Sequence, residues 1–96
     1  MLSDENLAKR AKRDFNRMKS KEALSTNASH NKMIKEIGER IAGVAQVDLP
    51  GTEWEFVVFQ NSEANAFAMP GGKVGVYTGL IDLADGNDDE VAAVIG

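Results

Sequence analysis

The chain has 96 residues, 43% of them hydrophobic and 27% charged, enough for one small globular domain that buries only roughly 60 to 70% of its unfolded surface. It contains no cysteine and a single histidine, which excludes a disulfide framework and thiolate zinc ligation, and no apolar run approaches the roughly 20 residues of a membrane helix. The net charge of −4 conceals an asymmetry: residues 1–40 carry ten Lys/Arg against six Asp/Glu (+4) and residues 41–96 carry one against nine (−8), a basic arm on an acidic body.

No signal-peptide pattern precedes the charged residues Asp4, Glu5, Lys9 and Arg10, and composition leaves the compartment open. Ser3, Asp4 and Glu5 supply a cap and first-turn acids, after which Leu7, Ala11, Phe15 and Met18 recur on one helical face. The other sides of this helix carry Lys9, Arg10, Lys12, Arg13, Arg17, Lys19 and Lys21. Acids are interspersed and Phe15 is the one aromatic residue, so no base-stacking platform exists and no nucleic-acid partner is expected. Residues 25–30 form a polar break with several candidate caps. A second helix follows, with Met33, Ile34, Ile37, Ile41 and Val44 on one side; Gly38 and Gly43 weaken it, Gly43 near its end. His30 is assigned no role, because a metal site needs several convergent ligands.

Pro50-Gly51 marks a turn, and residues 54–60 then alternate as a strand. Trp54, Phe56 and Val58 point one way and Glu55, Val57 and Phe59 the other, so both faces are expected to be covered over its latter half. Residues 65–69 and 73–77 flank Pro70-Gly71-Gly72, which predicts a hairpin: proline presets φ for a turn, and Gly71 takes the positive φ a type II turn requires. Gly75 leaves room for another backbone to approach, and one arm of the hairpin is a candidate open edge.

Residues 78–84 read as a short helical turn with Thr78 as cap and Leu80, Ile81 and Leu83 inward. Asp85-Gly86 ends it. Asn87 to Glu90 has the spacing of a capping box, so a third main helix should begin at Asp88 and continue through Val91, Ala92, Ala93, Val94 and Ile95. The carboxylates of Asp82, Asp85, Asp88, Asp89 and Glu90 lack the ligand spacing of a calcium loop and are read as caps and surface. Trp54, Phe56, Phe59 and Phe67 are read as core rather than as a ligand pocket. The expected architecture is α+β: an N-terminal helical part (residues 1–50) packed on a small three-stranded sheet, within a strand-hairpin-helix part (residues 51–96).

Asn-Ala-Phe-Ala-Met-Pro-Gly-Gly at residues 65–72, Val-Tyr-Thr-Gly-Leu at 76–80 and Asp-Asp-Glu-Val-Ala-Ala-Val-Ile-Gly at 88–96 resemble the segment just upstream of the zinc helix in zinc metallopeptidases of the HtpX and CAAX-prenyl-protease type. The resemblance covers residues 54–96 closely. It implies the upper subdomain of a zincin-like fold of the gluzincin group, with a parent enzyme that hydrolyses peptide bonds through zinc-activated water. In that family the HExxH motif, two zinc-binding histidines and a general-base glutamate, follows the equivalent of Ile95-Gly96. The sequence stops one residue short of it, so this chain is expected to hold no catalytic residue and no metal ligand, to bind no zinc itself and to be inactive alone. What the resemblance assigns here is substrate contact: Asn65, Ala66, Phe67 and Ala68 on a cleft-side strand that receives an extended peptide by β-addition, with Tyr77 at the rim. Implied partners are a peptide or protein substrate and the remainder of the peptidase domain, and the implied compartment is the cell envelope. Asn65 has two readings, an amide that fixes a substrate backbone or a turn-entry residue bonding its own chain. The alternative function is a non-catalytic peptide- or protein-binding module that uses the open strand edge and can self-associate through it.

Overall fold

The computed structural model describes residues 4–84 and 88–95. Two long helices, α1 (Asp4–Lys21) and α2 (Ala28–Ala45), precede three strands, β1 (Glu55–Phe59), β2 (Ala66–Met69) and β3 (Lys73–Tyr77). Two short helices follow, α3 (Thr78–Leu83) and α4 (Asp88–Ile95). The α+β class read from the sequence is the observed one. The sheet order is β1-β3-β2, with β3 central, antiparallel to β2 and parallel to β1. Chain leaving β1 crosses the end of the β3 position, runs down β2 and returns through the hairpin to fill the gap.

The hairpin forms as its turn residues dictate: Gly71 and Gly72 have φ of 83° and 79°, the left-handed region that costs a residue with a Cβ energy. Strand alternation then sorts side chains to two covered faces. On one face Val58, Val74 and Val76 pack with Ile34 and Ile37 of α2, Leu80 and Ile81 of α3 and Val91 of α4. On the other, Phe15 of α1, fully buried, meets Phe59 edge-on at 6.1 Å and Phe67 at 6.4 Å. The two N-terminal helices thus cover opposite faces of one sheet.

Asn27 accepts the backbone N–H of His30 through its side chain at 3.1 Å and so starts α2. The capping box at 87–90 begins on a residue outside those described, as do the Asp85-Gly86 stop and the Ser3 cap.

Four local expectations are corrected. Val44 is 77% exposed rather than inward, because an 18-residue helix is about 27 Å long while a five-residue strand spans about 17 Å, so the last turn of α2 overhangs the sheet. Leu83 is 72% exposed; the inward face of α3 is Leu80, Ile81 and the following Ala84, which leaves Leu83 on the far side. The cap of α3 is Tyr77, with Thr78 its first residue. Gly75 admits rings rather than a backbone, since a Cβ there would lie 2.3 Å from Phe67 Cζ and 3.0 Å from Phe59 Cε2.

Candidate substrate-binding edge

The two outer strands differ in what covers them. Beside β1, residues 23–25 make a short antiparallel bridge: Ser25 N–H donates to the Val58 carbonyl at 2.9 Å and Gln60 N–H to the Ala23 carbonyl at 2.8 Å. Among the described residues β2 pairs with β3 alone. Tyr77 N–H donates to the Asn65 carbonyl at 3.1 Å, which sets the parity of the ladder. Residues 65, 67 and 69 bond inward to 77, 75 and 73, and the main-chain groups of Ala66 and Ala68 are directed outward. Ala68 is exposed and Ala66 half-buried. The outward N–H of Ala66 is met by Asn65 itself, whose Oδ1 accepts it at 2.9 Å. In this conformation Asn65 bonds its own chain.

The head of β2 is fixed by a clamp to α3. Thr78 Oγ1 accepts the Asn61 N–H at 3.1 Å and donates to the Asn61 carbonyl at 3.0 Å. Gly79 N–H donates to the same carbonyl at 2.8 Å. Asn61 Oδ1 accepts the Glu63 N–H at 2.9 Å, closing a turn directly before Asn65. Gly79 is required here by space, since a Cβ would sit 2.1 Å from the Ser62 carbonyl oxygen.

Among the five residues expected to contact substrate, the structure brings Asn65, Ala66 and Ala68 to the open edge. Phe67 turns inward, its ring centroid 6.1 Å from both Phe59 and Tyr77. Tyr77 is half-buried, and burial, with Glu22 and Glu63 adding negative potential, pushes its phenol pKa above the ordinary value. Trp54 and Phe56 stack at 6.0 Å beside α2, and Phe56 occupies the space that Gly38 leaves open.

One network went unread in the sequence. Lys73, on the buried face under α1, donates to the Glu53 carbonyl at 2.5 Å and lies 3.9 Å from Glu55. Lys12 pairs with Glu53 at 3.2 Å, which holds the Glu53 carboxyl below its usual range, and Lys19 pairs with Glu55. The signal was present: lysines seven apart share a helix flank, and glutamates two apart stand at the entry to β1.

A catalytic metal needs converging donors. Among the described residues no group of three or more His, Cys, Asp or Glu converges. His30 sits in the first turn of α2, its Nε2 3.6 Å from Asp82. The described residues therefore do not fit a zinc centre. No helix among them is long and apolar enough to cross a membrane.

The chain is 39% identical over 62 residues to the metalloprotease YcaL of Escherichia coli K12, covering 62% of this chain and 24% of that protein. It is 30% identical over 96 residues to the metalloprotease LoiP of the same organism, covering 99% of this chain and 36% of that protein. To the mitochondrial metalloendopeptidase OMA1 of Arabidopsis thaliana it is 44% identical over 55 residues, 57% of this chain and 11% of that protein. The chain thus spans about a third or less of the length of these relatives. The pattern of peptidase family M48 matches residues 28–96, from the first residue of α2 through the edge strand and α4, and the chain belongs to that family.

Proposed function

We propose that this chain is part of a zinc-dependent metalloendopeptidase of the HtpX-like, gluzincin group, in which β2 receives an extended substrate peptide along its open edge. The observation that carries the reading is the outward main chain of Ala66 and Ala68 on a strand paired on one side only. Main-chain pairing of this kind accepts many peptide sequences, with selectivity left to pockets for alternate side chains. Asn65 exchanges its bond to Ala66 N–H for one to the peptide. In this reading the zinc ligands and the general base come from outside this chain, which alone is inactive. A non-catalytic binding module would use the same edge.

The test is Ala68→Pro. Proline removes an outward N–H without touching the ladder to β3, a substitution that edge strands tolerate. With unfolded β-casein as the probe, amide chemical shifts of Ala66 and Ala68 should move on titration, and A68P should weaken binding at least about tenfold while the helical circular dichroism is retained. Unchanged binding by folded A68P would remove the edge from the reading. Chelator-sensitive proteolysis by the purified chain would overturn the assignment of the metal site to residues outside it.

A further inference from the structure

The basic arm has a geometry of its own. Around α1, with Ala11 and Phe15 marking the buried side, residues on the opposite arc at 100° per residue are Asn6, Lys9, Arg10, Arg13, Arg17, Ser20 and Lys21. Five are cationic, none is acidic, apolar or aromatic, and all seven lie within about 120° of arc along about 22 Å of helix. All seven face solvent. Lys9 shares an exposed ion pair with Glu5 at 3.7 Å, an arrangement that binds weakly. Among the described residues no ion pair engages Arg10, Arg13, Arg17 or Lys21. The lysines that serve the fold, Lys12 and Lys19, lie outside the stripe and are bound to Glu53 and Glu55.

On the near side, Glu5 and Asp14 flank the stripe without entering it, and Glu53 and Glu55 are bound to Lys12 and Lys19. Asp82, Asp89 and Glu90 belong to α3 and α4, which pack on the face of the sheet opposite α1. Helix and sheet layers are spaced about 10 Å apart, so these charges sit about 20 Å from the stripe, beyond a Debye length of about 8 Å at physiological ionic strength. An approaching anionic surface therefore experiences the stripe rather than the net charge.

We propose that the outer face of α1 is a docking surface for an anionic lipid bilayer. Three features select this partner. The stripe is straight and convex, matching a flat surface. Glu5 and Asp14 border it at either side, so a groove that wrapped the helix, as a nucleic-acid major groove does, would bring phosphates against carboxylates. It has no aromatic residue to stack on a base, and the shallow concavity between Asn6, Lys9, Arg10, Lys12, Arg13 and Asn16 is lined by α1 alone, with no opposing wall to fix the register of an acidic peptide, whereas mobile lipid headgroups gather beneath charges at any spacing. The contact is electrostatic and superficial, because no apolar side chain in the stripe is available to insert.

The experiment is vesicle co-sedimentation of the whole chain. Vesicles of phosphatidylcholine with roughly 30% phosphatidylserine should bind it at about 0.1 M salt and release it at about 1 M, and pure phosphatidylcholine should not bind it. Each cation removed from such a surface lowers partitioning about fivefold, so R10Q/R13Q/R17Q should reduce it on the order of a hundredfold. All three sites are solvent-facing and glutamine is a good helix former, so the variant should keep its helical circular dichroism. K32Q/K35Q/R40Q on α2 removes the same charge elsewhere and should bind nearly as the parent does. Equal binding to neutral vesicles, equal loss in both triple variants, or salt-sensitive self-association without vesicle binding would each overturn the proposal. The outcome is independent of the peptidase reading.

Discussion

Gly79→Ala sets two physical effects against each other. Gly79 is the second residue of α3, and helix propensity alone favours alanine over glycine there by about 1 kcal/mol. The surroundings oppose it: the added Cβ would lie 2.1 Å from the Ser62 carbonyl oxygen and 2.4 Å from that of Glu63. Carbon and oxygen atoms approach no closer than about 3.3 Å even in weak hydrogen bonds, so the backbone must open by roughly 1 Å. The 62–63 turn cannot yield by itself, because Asn61 is tied to Thr78 Oγ1 and Gly79 N–H. Overpacking costs about 1–3 kcal/mol, occasionally more, and each hydrogen bond lost in the clamp about 0.5–1.5 kcal/mol. Net of propensity, the variant should lose about 2–4 kcal/mol, a large part of the roughly 5–14 kcal/mol expected of a chain this size. Gly43→Ala in α2 is the control, since nothing lies within 4 Å of its Cβ, and it should gain about 0.5–1 kcal/mol. Urea unfolding followed by the fluorescence of Trp54, the one tryptophan, measures both. A G79A protein as stable as the parent, or shifts of the same sign in the two variants, would refute the steric argument.

Phe15→Ala should cost about 3–5 kcal/mol in the same assay, because the ring is fully buried between Phe59 and Phe67; a loss under about 1 kcal/mol would mean that α1 does not cover this face. Tyr77 is the only tyrosine, so the phenolate absorbance reports it alone. Burial, then Glu22 and Glu63, raise its pKa in the folded chain, and the titration midpoint should lie above that of the urea-unfolded chain. Because the neutral phenol is the form the fold favours, this contribution to stability is fully present below the unfolded pKa, near 10, and is lost as pH rises through the folded value. A folded midpoint at or below the unfolded one would contradict the packing of Tyr77 against Phe59 and Phe67.

The parts of the fold legible in the sequence are those set by neighbouring residues. Pro70-Gly71-Gly72 specified the turn because positive φ has a local cost, and the faces of α1 and α2 followed from periodicity. What stayed illegible is set by distant chain. The parallel pairing of β1 with β3 is invisible to local signals, since nothing in residues 55–59 names the strand beside them. Val44 and Leu83 were misplaced because periodicity gives a direction but not the extent of what lies there. The covering of opposite faces by α1 and α2 was half legible: Val57 and Phe59 required a cover on the second face, but only the ion pairs of Lys12 and Lys19 with Glu53 and Glu55 in the folded chain show that α1 is that cover.

The family-like motifs divide unexpectedly when each residue is asked what it touches. Gly71 and Gly72 make the turn, Gly75 makes room for two rings, Thr78 clamps Asn61 and Gly79 clears the 62–63 backbone. These are demands of construction, and together they hold one strand in a fixed place with one side unpaired. Ala66 packs against the core beside Val76 and Ala68 is exposed on the face of Val74, while the main chain of both looks outward. A strand meant to close a sheet gains from β-branched residues, and edges that must not pair are commonly protected by charge, proline or a bulge. β2 has none of these within residues 66–69; its guard is Asn65, whose side chain occupies a single outward donor through a reversible hydrogen bond. An edge kept regular, uncharged and guarded by one displaceable amide is what the proposed addition of a peptide strand requires.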